Sequence, residues 1–328
     1  MHPKIWLLYL ILPGRFGHLL TGLLIFSAMF IVFSVADDVR TAFASGTLFF
    51  CVITAYVVPI FSYITRISEQ AVEQLEGSLD IPQEMFLEFR RTISRKSLSW
   101  NILITLLGLA GGFMHLYFIY AGRGSSFAQE YAGPHDIMGD LGALIVWMTM
   151  TVAITGLLNN GIRIGRLAGL MWPINLFRVD RLLPFARVAI SSCLSIVGTL
   201  ALFPLLSFDQ GASVWTVLPG LIATAIPMLA MLLLPMWPAH RLLQARKAQE
   251  IALINETLDE CRGGQELLQD PAALQQTNSL LDHREHIQQI SDWPIDIGGV
   301  STLALYLIIP PLTWVGAALI ENVVDAVL

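Results

Sequence analysis

Charge is scarce in this chain. Only 13% of its 328 residues are Asp, Glu, Lys or Arg, while 55% are hydrophobic; an ordinary soluble domain carries roughly 25% charged residues. Nineteen basic and 25 acidic side chains cannot keep so much apolar surface in water. That excludes a soluble globular protein and leaves lipid as the solvent. Cysteine is equally sparse: Cys51, Cys193 and Cys261 lie far apart, two of them in apolar runs, which excludes a disulfide framework and a thiolate metal site.

Catalytic signatures are missing too. There is no HExxH pair for a metalloprotease, no P-loop glycine-lysine turn, no dinucleotide-binding glycine turn, and no predicted strand to carry one. The Gly-x-Ser-x-Gly nucleophile elbow is also absent. The sequence therefore predicts no enzyme, no catalytic residue and no cofactor. The nearest approach to a metal site is His283 and His286, three apart within Asp282 to His286. A third and fourth ligand at helical spacing are lacking, so the segment reads as a solvated charged face and no metal is expected. His135, Asp136 and Asp140 read as a loop in the same way. A formal charge of −6 gives no footprint for nucleic acid.

What is present is a series of apolar runs. A helix needs about 20 apolar residues to cross a bilayer. Such runs occur at 18–36, 45–65, 99–121, 138–160, 185–207, 212–238 and 298–320. The only Asp, Glu, Lys or Arg within them are Asp140 and Arg187, each near one end. The fold class is an all-α polytopic membrane helix bundle with about seven transmembrane helices. Ile5 to Leu12 is too short to span and is expected at the membrane interface. Ser34-Val35-Ala36 resembles a signal cleavage site, but the length of the preceding apolar stretch favours an uncleaved first span.

The distribution of Lys and Arg sets the orientation, because cytoplasmic loops keep them. With a cytoplasmic N-terminus and external C-terminus, only Arg40 and Arg123 of the 19 fall outside. This positive-inside pattern suits a bacterial-type inner (plasma) membrane. Asp37, Asp38, Glu130, Asp136, Asp140, Asp209, Glu321 and Asp325 lie outside with those two bases, so the whole formal charge of −6 sits on the outer face. Loop acids left behind after bases were removed account for that simply; attraction of cations is the sharper reading.

The chain divides into residues 1–238, holding spans one to six with a cytoplasmic helical segment at 67–97; residues 239–296, a cytoplasmic helical hairpin; and residues 297–328, the last span. In 67–97 two short helices are expected around Gly77 to Asp80, with Pro82 starting the second. Its basic cluster, Arg90, Arg91, Arg95 and Lys96, reads as headgroup positioning. From Asn160 to Pro184, Gly161, Gly165 and Gly169 alternate with Arg163 and Arg166. Small residues four apart let helices approach closely, so helix packing with lipid-headgroup contacts from Arg163, Arg166, Arg178 and Arg181 comes ahead of a specific anionic ligand. In the hairpin, Ile251, Ile254, Leu258 and Cys261 form an apolar stripe. Gly263-Gly264 ends the first helix, Asp270-Pro271 starts the second, and Leu274, Leu281, Ile287 and Ile290 form a looser stripe on the return. Packing within a homo-oligomer is the preferred use of these faces, with a cytoplasmic protein partner at 239–296 as the other.

Buried carboxylates and hydropathy repeats are both missing, which disfavours a coupled transporter. The milder intramembrane polar groups, such as His115, Thr149 and Thr155, read as packing residues or hydroxyls bonded to their own helix. Four prolines, Pro219, Pro227, Pro235 and Pro238, punctuate the sixth run, and Pro310-Pro311 predicts a kink, a candidate gate, in the seventh. The first functional expectation is an oligomeric cation channel lined by the last span. Glu321 and Asp325 would form its outer ring, and Asp292 and Asp296 its inner mouth. A non-conducting signalling or scaffold protein docking a partner through the hairpin is the alternative, and a transporter the third. The topology resembles that of the insect odorant and gustatory receptor channels: seven spans, a cytoplasmic N-terminus, and a cytoplasmic helix leading into a pore-lining last span. The resemblance covers arrangement and one tyrosine in the last span, here Tyr306.

Overall fold

The structure is a computed structural model that describes residues 2–36, 45–79, 81–122, 124, 137–171, 176, 179–206, 214–262, 271–293 and 308. Those residues form eight α-helices: α1 (Gly17–Ala36), α2 (Ser45–Leu75), α3 (Gln83–Ser94), α4 (Leu98–Gly122), α5 (Ile137–Ala168), α6 (Leu183–Leu200), α7 (Val214–Arg262) and α8 (Pro271–Gln289). All but α3 and α8 are long and apolar enough to cross a membrane. The run at 298–320 lies outside the described residues, apart from Ile308.

The apolar runs become helices because a backbone in lipid must satisfy its own hydrogen bonds. Many of their large side chains point outward: Leu19, Leu20, Leu23 and Leu24 on α1, Ile102, Leu103, Leu106 and Leu107 on α4, and Ile222, Ile226 and Leu229 on α7 are all exposed. An apolar belt of this extent is tolerated against lipid and not against water. α6 is the most enclosed of the six helices, packed on α2 and α7, while α5 lies against α2, α4 and α7.

Close approach between helices rests on glycines in α4 and α5. A Cβ on Gly108 would stand 2.8 Å from the Met148 Cα. Gly112 is as tight against Leu144, and on α5 Gly156 gives space to the Phe61 ring of α2. Proline does not interrupt this packing. α7 runs unbroken through Pro219, Pro227, Pro235 and Pro238, and α2 continues past Pro59. Pro238 lacks the N–H that would bond the Leu234 carbonyl one turn back, and that freed carbonyl lies against Gly165 of α5.

Two hydrophobic cores result. The first joins Phe49, Ile53, Val57 and Phe61 of α2 to Val152 and Leu157 of α5, Ile196 of α6 and Met231 of α7. The amino-terminal segment belongs to it, so part of the short run Ile5 to Leu12 packs between helices while Tyr9, Leu10 and Leu12 stay exposed. A short 3-10 turn, Trp6–Tyr9, packs against α2 and α5, and both Ile5 and Leu7 are fully buried. The Trp6 indole donates to the Thr105 hydroxyl at 3.0 Å. Shortness forbids crossing the bilayer but not insertion between helices. Ile5→Val is expected to lower unfolding stability by about 1 kcal/mol, as measured by denaturant titration in detergent.

The second core lies at the end of the bundle that carries α3 and α8. It holds Ala71, Val72 and Leu75 of α2, Phe86 and Ile93 of α3, Ile164 and Leu167 of α5, Phe185 and Val188 of α6, Leu243 and Ile254 of α7, and Ile287 of α8. The segment 67–97 differs from its expected form: its first part is the continuation of α2 to Leu75, followed by a 3-10 turn at Glu76–Ser78. An ion pair between Arg90 of α3 and Glu73 of α2 crosses this corner. α7 extends as one helix to Arg262, and α8 begins at Pro271, where proline fits the first helical position.

Candidate functional site: the polar end of the bundle

Two polar groupings stand out at the α3/α8 end. The first joins α7 to the segment after α8. Trp237, His240 and Lys247 recur at three and seven residues, so they share one face of α7. The His240 ring stacks on Trp293, with centroids 4.1 Å apart and planes inclined by 15°. Trp237 meets Trp293 edge-on at 6.3 Å. The His240 Nδ1–H donates to the Asp292 carbonyl at 2.7 Å. Lys247 Nζ donates at 2.9 Å both to the Asp292 carboxylate and to the Ile290 carbonyl. The Ser291 hydroxyl accepts from the Trp293 N–H and donates to its carbonyl, turning the chain. Trp293 also packs on Ala186, Ala189 and Met236. The chain is thus gripped at residues 290–293, immediately before the last apolar run.

The second grouping lies where α3 ends, α4 begins and α5 terminates. Lys96 is buried in the link between α3 and α4. Burial, and secondarily the charge of Arg163, lower its ammonium to about 7. Arg163 on α5 donates to the Asn159 side-chain carbonyl at 2.9 Å and to the Thr92 hydroxyl at 2.7 Å. On the next residue, Asn160 is fully buried, and neither of its side-chain polar atoms has a partner among the described residues.

The residues singled out from the sequence are distributed as follows. Asp292 stands half-exposed in its ion pair with Lys247, 2.9 Å away. Arg163 is half-buried in the second grouping, while Arg166 and Arg181 are exposed. Arg178, Asp296, Tyr306, Pro310, Pro311, Glu321 and Asp325 lie outside the described residues. Leu274 and Leu281 are exposed, whereas Leu280 and Ile290 pack on the second core with buried Ile287; the return stripe therefore uses Leu280, two turns before Ile287, in place of Leu281. Asp140 accepts a hydrogen bond from the Tyr120 hydroxyl. His115 packs on Trp147, with ring centroids 5.5 Å apart. His283 and His286 are exposed on α8, and among the described residues no three metal-ligating side chains come together.

Trp237, His240, Lys247, Trp293, Thr92 and Lys96 were not expected as a functional set. A helical-face count along 237–247 would have gathered the first three; nothing local in sequence joins them to Trp293. Comparison with protein-family models, curated proteins and solved structures gives no match.

Proposed function

We propose that this is a non-enzymatic, multi-pass signalling protein of a bacterial-type inner membrane, with seven spans, a cytoplasmic N-terminus and an external C-terminus. Its cytoplasmic hairpin passes a change in contact or position to the last span. The observation that supports this reading is the latch at residues 290–293: a stacked histidine–tryptophan pair, two backbone hydrogen bonds and one ion pair tie the base of the hairpin to α7 where the chain enters its last apolar run. Exposed leucines on the hairpin, Leu253, Leu274 and Leu281, offer contacts to a second copy of the chain or to a cytoplasmic partner. Thr65, Thr149, Thr155, Ser195 and Thr199 along the described spans each bond a carbonyl of their own helix, which suits a packing role for these hydroxyls.

The test is a pair of nitroxide labels at Gln276 on α8 and Ala317 in the last run, with the three cysteines replaced by alanine. Coupling through the latch gives one narrow distance distribution, and Trp293→Ala broadens it. A distribution unchanged by Trp293→Ala removes the basis for the reading.

The second reading is an oligomeric cation channel lined by the last span. Glu321 and Asp325 favour it, since residues four apart share a helix face and a ring of acids attracts cations. Planar-bilayer conductance separates the two. Cation-selective currents weakened by Glu321→Gln/Asp325→Asn support the channel, and silence across voltage, pH and lipid composition supports the signalling protein.

A further inference from the structure

Two positive side chains meet at the α3/α8 end, and among the described residues neither is ion-paired to a carboxylate. The link that holds Lys96 is pinned by the amino-terminal segment: the Ile5 N–H donates to the Ser94 carbonyl at 3.1 Å, and the Lys96 N–H to the Pro3 carbonyl at 3.0 Å. With its backbone fixed, Lys96 folds back over the end of α3 and is only 5% exposed. Its Nζ donates to the Thr92 carbonyl at 2.8 Å. Arg163 reaches the same residue from α5 and donates to its hydroxyl. That hydroxyl donates in turn to the Phe89 carbonyl at 2.6 Å. Thr92 therefore holds one cation on its carbonyl and the other on its side chain.

Every one of these partners is neutral. The ammonium carries three N–H donors and the guanidinium five, and the bonds above use one and two of them. Neither cation pairs with a carboxylate among the described residues; the ion pairs at this end join Arg90 to Glu73 and Lys247 to Asp292. A buried cation without counter-charge is costly, and a second cation facing it adds repulsion. Arg166, one turn further along α5 and exposed, extends the positive charge outward. In the chain the group follows the apolar run 138–160 carried by α5.

A phosphate group supplies what this arrangement lacks. It brings negative charge and several acceptor oxygens for the unused N–H groups, and charge-assisted bonds to it are about twice as strong as neutral ones. We propose that Lys96 and Arg163, held by Thr92 and Asn159, form with the exposed Arg166 a binding site for a phosphate-bearing anion, either an acidic phospholipid headgroup or free phosphate. The site is distinct from general basic attraction to the membrane surface, because its central cation is buried and positioned by the amino-terminal segment.

Native mass spectrometry of the full-length protein in detergent tests this, with dioctanoyl-phosphatidylglycerol, dioctanoyl-phosphatidylcholine and inorganic phosphate as ligands. The lipid source predicts that phosphatidylglycerol is retained over phosphatidylcholine. Lys96→Met and Arg163→Gln should each weaken that retention by about tenfold or more, while Arg241→Gln, at an exposed arginine of α7, should change it less than about twofold. Phosphate bound with the same dependence on Lys96 and Arg163, without preference between the lipids, identifies free phosphate as the ligand. Should either variant fail to fold, the wild type decides: phosphatidylglycerol must be preferred or phosphate must bind. Equal retention of both lipids with no phosphate bound overturns the proposal, as does a folded Lys96→Met variant with unchanged affinity.

Discussion

Gly165→Val is expected to cost the folded bundle about 3 kcal/mol or more, enough to remove most of the folded protein recovered in mild detergent. A Cβ at residue 165 would stand 2.6 Å from the Leu234 carbonyl oxygen and 3.2 Å from Pro238 Cγ. The first of these is backbone, so no rotamer change relieves it, and overpacking a close helix contact costs about 1–3 kcal/mol even where neighbours are able to shift. Valine adds two methyl groups to that overlap. The Leu234 carbonyl would also lose its place: Pro238 has no N–H for it, and the glycine Cα–H is the weak donor it faces. Gly169→Ala is the matched control. Its Cβ would meet only the Arg166 carbonyl at 3.6 Å, an ordinary contact, and its effect should stay within about 0.5 kcal/mol. Equilibrium unfolding in mixed micelles measures both, and a Gly165→Val variant as stable as Gly169→Ala would mean that α5 and α7 do not pack this closely.

The three glycines at four-residue spacing show what a sequence makes legible. The spacing marks a helix face able to approach a neighbour, and the structure puts Gly161 and Gly165 of that face against Pro235 and Pro238 of α7. It does not reveal which glycine is indispensable, because that depends on a carbonyl freed seventy residues later in the chain. The apolar runs were legible for a simpler reason: a bilayer demands a minimum length of apolar helix, and six runs coincide with described helices. Asp270-Pro271 likewise marked the start of α8 through proline's fixed φ. Placement against neighbours was less legible. Length alone did not show that Ile5 and Leu7 pack between helices, and Leu280 packs where a stripe through Leu281 was expected. The candidate site was hardest to read. Lys96 counts along the chain as one more positive-inside residue, and only the bridge from Pro3 and Ile5 and the approach of Arg163 turn it into a buried charge. Trp293 similarly reads as a residue before a helix-breaking proline until His240, more than fifty positions earlier, is stacked on it.

Raising the pH from 7.5 to 9 should stabilise the folded protein by about 2 kcal/mol through Lys96 alone. Burial, and then the neighbouring Arg163, lower the Lys96 ammonium from 10.5 to about 7 in the folded chain. Between those two values the unfolded chain keeps a proton on Lys96 that the folded chain has released. Stability rises with pH wherever the unfolded state binds more protons, at up to about 1.4 kcal/mol per pH unit for one group. The gain starts near pH 7 and is complete as the unfolded lysine itself deprotonates. Lys96→Met removes the titrating group and should flatten this part of the stability curve, while raising stability at pH 7 and below, where the wild type carries a buried uncompensated charge. A phosphate-bearing anion acts in the opposite direction to burial, since negative charge beside the ammonium holds its proton. With saturating phosphate or phosphatidylglycerol the wild-type slope should therefore shrink toward that of Lys96→Met, and the added stability should be greatest near neutral pH, where the ammonium most needs a partner. Equilibrium unfolding of wild type and Lys96→Met at pH 6.5, 7.5, 8.3 and 9, with and without the ligand, separates these effects. Identical slopes for the two proteins without ligand would mean that Lys96 keeps an ordinary ammonium in the folded chain, with its positive charge already balanced.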